Sequence, residues 1–227
     1  MSPRLSILVP VYNEERTLKQ MMEALTGSCP DAELIYVDDG SRDASLKILK
    51  DNARPQDVVL TKPNGGKGSA IREGLSKATG AYTTIQDADL EYHPRQIASL
   101  LAEAERLGGD VCVFGSRFLT KNPNIYKRYL MGNKFITLAL NILFLSRLTD
   151  SYTCRKLLPT PLFKKMNIRS SGFELEAEIC AKALRSGIPI IELPIDYSPR
   201  TIEEGKKINW KDAVKGVWMM LRIRVGL

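Results

Sequence analysis

Leu5-Ser6-Ile7-Leu8-Val9-Pro10-Val11, followed by Tyr12-Asn13-Glu14, is the stretch on which the reading of the fold turns. It is a short apolar run after a polar start, which fits a strand buried in a parallel sheet. Asn13 is placed to cap a helix over roughly residues 14–25, with acids in its first turn. The same unit then repeats outward. Glu33-Leu34-Ile35-Tyr36-Val37 reads as a strand stopped by Asp38-Asp39-Gly40-Ser41, with a helix over about 43–52 and a third strand at 57–60. The loop Lys62 to Gly68 leads into a helix over 69–78, a strand at 81–85, a helix over 94–107 and a strand at 110–114. Strands alternating with helices of about ten residues predict an α/β fold with a doubly wound, mostly parallel sheet. In such a sheet, functional groups lie beyond the carboxyl ends of the strands. Pro10–Glu14, Asp38–Ser41 and Asp87–Glu91 all fall at that edge.

The most chemically loaded of these segments is Gln86-Asp87-Ala88-Asp89-Leu90-Glu91. If it is extended, residues two apart point the same way and Asp87, Asp89 and Glu91 converge. Three close carboxylates repel unless a cation holds them, and hard oxygen ligands suit Mg²⁺ or Mn²⁺. The plainer reading is a solvated acidic turn before a helix. The glycine-rich loop Asn64-Gly65-Gly66-Lys67-Gly68-Ser69 lacks the spacing of a phosphate-binding P-loop and reads as a tight loop whose backbone approaches a ligand closely. His93 is the chain's one histidine, so a Ser-His or Cys-His mechanism would have to use it.

Past residue 114 the pattern changes. Met131 to Leu148 reads as a helix with Phe135, Leu138, Ile142 and Leu145 on one stripe, and it is apolar around much of its circumference. Ser171 to Arg185 reads as a helix carrying Glu174, Glu176 and Glu178, the last a solvated residue; Ile188 to Ile195 reads as an edge strand because of its prolines. Trp210, Val214, Val217, Trp218 and Leu221 make a C-terminal amphipathic stripe, with the tryptophans as packing anchors. The longest uncharged run, Phe135 to Ser146, is shorter than the ~18–20 residues a membrane span needs.

The net charge of +7 is concentrated: residues 115–170 hold eleven Lys or Arg, including Arg117, Arg128 and Arg155, against Asp150 alone. So basic a stretch calls for an anionic partner, either phosphate, nucleic acid or an acidic membrane. It lacks the aromatic-basic interleaving of RNA modules and any recognition-helix motif, so no specific nucleic acid is expected. Four scattered cysteines without metal spacing, and no secretory leader, read as reduced thiols in a cytosolic protein.

In order, Pro10-Val11-Tyr12-Asn13-Glu14, Asp38-Asp39-Gly40-Ser41, Gln86-Asp87-Ala88-Asp89-Leu90-Glu91, Phe114-Gly115-Ser116-Arg117 and Gly172-Phe173-Glu174-Leu175-Glu176 resemble the motifs of family 2 glycosyltransferases of the GT-A fold. The resemblance is to the branch of polyprenyl-phosphate sugar synthases, including dolichyl-phosphate mannose and glucose synthases. It implies one GT-A domain with a nucleotide-sugar-binding half (1–114), an acceptor-binding half (115–200), and a mobile segment with a C-terminal amphipathic helix (201–227). It also implies that Pro10, Tyr12, Glu14 and Asp39 hold the donor's base and ribose, with Lys67 and Asp87 beside the nucleotide. Asp87, Asp89 and Glu91 would bind Mg²⁺ or Mn²⁺; relatives often carry Gln where Glu91 stands. Arg117, with Arg128 and Arg155, would grip the acceptor phosphate. Asp150 would act as base or acceptor aligner, Glu174 and Glu176 would face the sugar, and Arg200 and Lys206 would close over the diphosphate.

The expected activity is inverting transfer of a hexose from a GDP-mannose or UDP-glucose type donor to a dolichyl or undecaprenyl phosphate. A phosphate acceptor is already ionised near neutral pH and needs no strong base, which suits a chain with one histidine. The expected setting is the cytoplasmic face of a membrane, peripherally bound, with a small membrane-protein partner as an option. The rivals are a glycolipid or saccharide hydroxyl as acceptor, or a non-catalytic nucleotide-sugar-binding protein that docks on membranes.

Overall fold

β1 (Leu5–Val11) forms where the sequence predicts it, and its burial explains why it has no polar face. Ile7 and Val9 enter one core and Leu8 the other, so the strand is covered on both sides. The structure is a computed structural model that describes residues 3–122, 127–172, 174–199 and 210–226; the side chains of 127–129 and 210–214 also lie outside the description.

From β1 the chain runs through α1 (Leu18–Ser28), β2 (Glu33–Asp38), α2 (Ser45–Asn52), β3 (Val58–Thr61), α3 (Lys67–Lys77), β4 (Tyr82–Ile85) and α4 (Gln96–Arg106). Next come β5 (Cys112–Ser116), α5 (Lys127–Phe144), β6 (Lys156–Pro159), α6 (Thr160–Lys165), α7 (Leu175–Ser186), β7 (Ile190–Pro194) and α8 (Trp210–Arg224). Among the described residues these strands make one seven-stranded sheet of order β3-β2-β1-β4-β6-β5-β7. All neighbours are parallel except β6, which runs against both β4 and β5. Buried residues of α1, α2 and α4 share one core, and those of α3, α5, α6, α7 and α8 share the other.

β1 therefore has β2 on one side, reached along one face, and β4 on the other, reached along the opposite face. Their carboxyl ends part at a topological switch point, where an open α/β sheet binds ligands. Gln86 N–H donates to Leu8 O at 2.9 Å, so the acidic segment leaves β4 at that crevice.

Several elements differ from expectation. Asn13 does not cap a helix: it sits at φ +55° and its Oδ1 accepts from Arg42 N–H at 2.8 Å, which delays α1 by four residues. Glu14 and Glu15 N–H likewise donate to Ser45 Oγ (2.8 Å) and Asp43 Oδ2 (3.1 Å), tying the β1 and β2 loops together. β6 and α6 were not legible as elements. α5 begins and ends about four residues earlier than its pattern implies, and Leu145 beyond it takes φ +54°. β7 is an edge strand, as its prolines predict.

The α5 stripe faces outward. Ile136 and Leu140 are buried, whereas Met131, Phe135, Leu138, Ile142 and Leu145 stand exposed along one side, Leu145 at 87%. α8 packs against α5 and α7. It buries Met220 and Ile223 but leaves Trp218 and Leu221 exposed, so Trp218 is not the packing anchor the pattern suggests. Among the described residues no helix is long and apolar enough to cross a membrane.

Candidate active site

The acidic segment is a stapled turn, and this corrects the extended reading. Gln86 Nε2 donates to both Asp87 O (2.8 Å) and Tyr92 O (3.1 Å), joining the two ends of the loop, and Thr17 Oγ1 holds Ala88 O at 2.9 Å. Inside it, Leu90 takes φ +61° and Asp89 Oδ1 accepts from Glu91 N–H at 3.1 Å. The alternation that would converge three carboxylates is thereby broken. Glu91 turns to accept from Tyr197 hydroxyl at 3.0 Å, and its carbonyl accepts from Ser198 N–H at 2.9 Å.

Asp87 faces across the crevice. Lys67 Nζ lies 2.8 and 3.0 Å from its two oxygens and 3.3 Å from Glu176 Oε1, while Glu176 Oε2 meets Lys156 Nζ at 2.7 Å. Lys156 is fully buried, donates also to Thr153 O and lies over the Phe114 ring. Burial disfavours the charges on Lys67, Asp87 and Lys156, but their oppositely charged neighbours outweigh it. Burial pulls the Lys67 ammonium down, yet Asp87 and Glu176 hold its pKa well above the lysine range; Asp87, which burial would raise, is held below the carboxylate range by Lys67.

Lys67 reaches this position because the glycine loop allows it. Gly66 takes φ +85°, and a Cβ there or at Gly68 would fall 2.4 or 2.0 Å from the carbonyl oxygens of Ser171 and Ser170. The segment leading into α7 thus packs directly on the start of α3. Asp39 shapes the same loop, accepting from Gly65 N–H (3.0 Å), Gly66 N–H (2.7 Å) and Lys62 Nζ (2.8 Å). Pro10, Tyr12 and Glu14 lie partly exposed at the same edge. Glu174, two residues before Glu176, accepts from Gly172 N–H at 3.0 Å.

A second cluster forms at the end of β5. Arg117 donates through Nε and Nη2 to Asp150 Oδ2 (2.7 Å) and Oδ1 (2.8 Å), and its backbone N–H also reaches Oδ2 at 3.1 Å. Two groups assigned separate roles are thus one buried ion pair. Burial opposes the Arg117 charge, but Tyr92 and Asp150 raise its pKa well above the ordinary value. The guanidinium lies 5.2 Å from the Tyr197 ring and 5.7 Å from the Phe118 ring, whose other cation is Lys134 of α5, also at 5.7 Å.

Arg155 does not join them. It is fully buried behind the acidic loop, where Nη2 donates to Gln86 Oε1 at 2.8 Å and the guanidinium lies 5.8 Å from the Tyr92 ring. Burial lowers its pKa, and the residue has no exposed surface with which to meet an acceptor. Its place is that of a prop for the loop. Glu178 is also buried, not solvated: it accepts from Arg169 and Ser170 N–H and from Lys182. Arg200 and Lys206 lie outside the described residues, as does the Arg128 side chain. Sequence reasoning missed Lys156, Gln86 and Tyr197; the only signal for Lys156 was its place in the basic stretch.

Asp87 offers hard oxygens beside a cation-filled gap, Asp89 stands two residues on in the same loop, and no group of three His, Cys, Asp or Glu among the described residues forms a metal cage. Mg²⁺ and Mn²⁺ commonly take one or two carboxylates plus phosphate oxygens, so these residues fit such an ion bound together with a phosphate ligand. The Lys67 ammonium between Asp87 and Glu176 is the sign that positive charge belongs there.

The profile of the family described as Glycosyl transferase family 2 matches residues 6–165. An undecaprenyl-phosphate 4-deoxy-4-formamido-L-arabinose transferase from Proteus mirabilis is 40% identical over 146 residues, covering 60% of this chain and 44% of that protein. The low-salt glycan biosynthesis hexosyltransferase Agl6 from Haloferax volcanii is 26% identical over 97% of this chain and 54% of its own length. The chain thus spans about half the length, or less, of these curated relatives. Among solved structures, glucosyl-3-phosphoglycerate synthase from Mycobacterium tuberculosis in complex with UDP superposes with a TM-score of 0.71 at 17% identity, covering 97% of this chain and 80% of that one. The mannosyl-3-phosphoglycerate synthase from Rubrobacter xylanophilus gives 0.71 at 16% identity, covering 97% and 72%. These likenesses agree with the GT-A arrangement of the sheet.

Proposed function

Because the chain belongs to glycosyl transferase family 2, we propose that it moves a hexosyl group from a nucleotide-sugar to a polyprenyl phosphate. The observation that carries this reading is the Phe118 ring flanked by Arg117 and Lys134, which joins the buried cation at β5 to the outward apolar stripe of α5. An anionic head and a long apolar tail have that same division. The curated relatives named for undecaprenyl phosphate support it.

In this reading Pro10, Tyr12 and Glu14 line the donor's nucleoside side of the crevice, and Asp39 acts through the loop it shapes. Asp87 and Asp89 hold Mg²⁺ or Mn²⁺, which supplies charge stabilisation to the departing nucleoside diphosphate. Glu176, fixed by Lys67 and Lys156, and Glu174 orient the sugar. Arg117, itself aimed by Asp150, draws the acceptor phosphate. An acceptor phosphate oxygen bonds to the anomeric carbon as the bond to the diphosphate breaks, inverting that centre. No proton need be removed, so Asp150 is free to act as a positioning residue. The test is a donor screen with a short prenyl phosphate and Mg²⁺ or Mn²⁺, reading nucleoside diphosphate release. Equal rates with a neutral glycolipid or free sugar would overturn the acceptor assignment.

Membrane contact through α5 and α8 belongs to the same proposal. An interfacial helix buries one apolar side while nearby basic residues meet anionic lipid at about 1 kcal/mol each. The protein is expected to sediment with anionic vesicles at low salt and to be released as salt screens the charges. Phe135→Asp with Ile142→Asp, both on the exposed stripe, should cut vesicle binding about tenfold or more while leaving thermal unfolding nearly unchanged. Unaltered sedimentation of the double variant would remove α5 from the contact.

A further inference from the structure

We infer that Lys67 is a resident counter-cation: it holds Asp87 while the donor crevice is empty and must be displaced from that carboxylate before a divalent ion can take it. This rests on the proposed metal role of Asp87 and Asp89. The geometry is specific. Lys67 Nζ grips both oxygens of Asp87, at 2.8 and 3.0 Å, leaving neither turned away from it. A lysine on a mobile surface stem would be easily pushed aside, but this one is anchored. It is the first residue of α3, its side chain is 20% exposed, and a second carboxylate, Glu176, holds it at 3.3 Å.

Glu176 cannot follow Lys67 away, because Lys156, wholly buried, fixes its other oxygen at 2.7 Å. Two carboxylates and two ammonium groups alternate and their charges cancel. A divalent ion brought to Asp87 alone meets a carboxylate already neutralised and an ammonium a few Å away that repels it. The balance changes when the ion arrives with a diphosphate, whose oxygens can accept the freed ammonium. Lys67 keeps Glu176 throughout, so it stays at the crevice once released from Asp87. The chain therefore discriminates against metal without nucleotide.

The test is Mn²⁺ binding without nucleotide, read from the electron paramagnetic resonance signal of the free ion. Lys67→Met should bind Mn²⁺ about tenfold more tightly than the unaltered protein, and Lys67→Arg, which restores the cation, should bind as weakly as it does. Adding Asp87→Asn to Lys67→Met should abolish the gain. A Lys67→Met protein that keeps its thermal unfolding temperature and binds Mn²⁺ no better, or worse, overturns the inference. Lys67→Gln serves if the methionine variant does not fold, under the same two outcomes. Calorimetry of UDP or GDP with Mg²⁺ on the unaltered protein separates the failures: nucleotide binding with no gain in the Met variant sinks only the role of Lys67, while no nucleotide binding sinks the transferase reading with it.

Discussion

Asp89→Ala is expected to lower turnover by roughly 10²–10³-fold, the cost of removing one group that stabilises charge as it develops, while leaving the fold intact. Asp89 is the better probe than Asp87. Its side chain is partly exposed, and it accepts from Glu91 N–H within its own loop. Removing Asp87 would free Lys67 and unbalance the whole alternating chain of charges. The comparison to make is steady-state turnover of the Ala variant beside the unaltered enzyme in excess chelator, with thermal unfolding as the control for folding. Both should fall to a similar floor. Substantial turnover in excess chelator would remove the metal from the mechanism, and a normal Asp89→Ala would remove Asp89.

The second large effect is on stability. Asp150→Ala strips the buried Arg117 guanidinium of both carboxylate oxygens and leaves its backbone N–H without that acceptor. Breaking a buried ion pair from one side costs about 3–5 kcal/mol, because the remaining charge stays in a poorly solvated place. For a chain of this size that lowers the unfolding temperature by on the order of 10 °C. Replacing both partners at once, Arg117→Met with Asp150→Leu, should recover much of the loss, since the desolvated charge goes with its partner. The milder Asp150→Asn keeps one acceptor oxygen and separates structure from catalysis. A positioning role predicts a raised KM for prenyl phosphate with nucleotide affinity preserved. If instead kcat falls alone with an altered pH profile, Asp150 is a base.

The β1-to-β4 half of the sheet was legible because its signals are local. Apolar runs at residues 5–11 and 33–38 are strands that need nothing beyond their own composition and two covered faces. What stayed hidden depends on partners far along the chain. Asn13 reads as a cap, yet it is spent on Arg42, which makes α1 start later. Leu90 is of a type that rarely takes positive φ, yet it does so within the loop that Gln86 staples to Tyr92. β6 was invisible for the same reason. Lys156, which opens the strand, is a poor candidate for burial until Glu176, twenty residues on, is known to meet it. Glu178 looked solvated because nothing in the sequence announces that the chain at Arg169 and Ser170 doubles back over it.

The reversed strand also governs the order in which the sheet can be completed during synthesis. β4 and β5 are neighbours along the chain but not in space, because β6 lies between them. The first four strands can associate as soon as β4 has left the ribosome, since all their pairings are already present. β5 then has no place to dock until Lys156–Pro159 has been made, and among the described residues β7 pairs with β5 alone. Until that moment β4 presents an unpaired edge, a template for pairing with other chains. The β6-β5-β7 side of the sheet therefore assembles late and as a unit, and the growing chain is most exposed to aggregation between the emergence of β4 and that of β6.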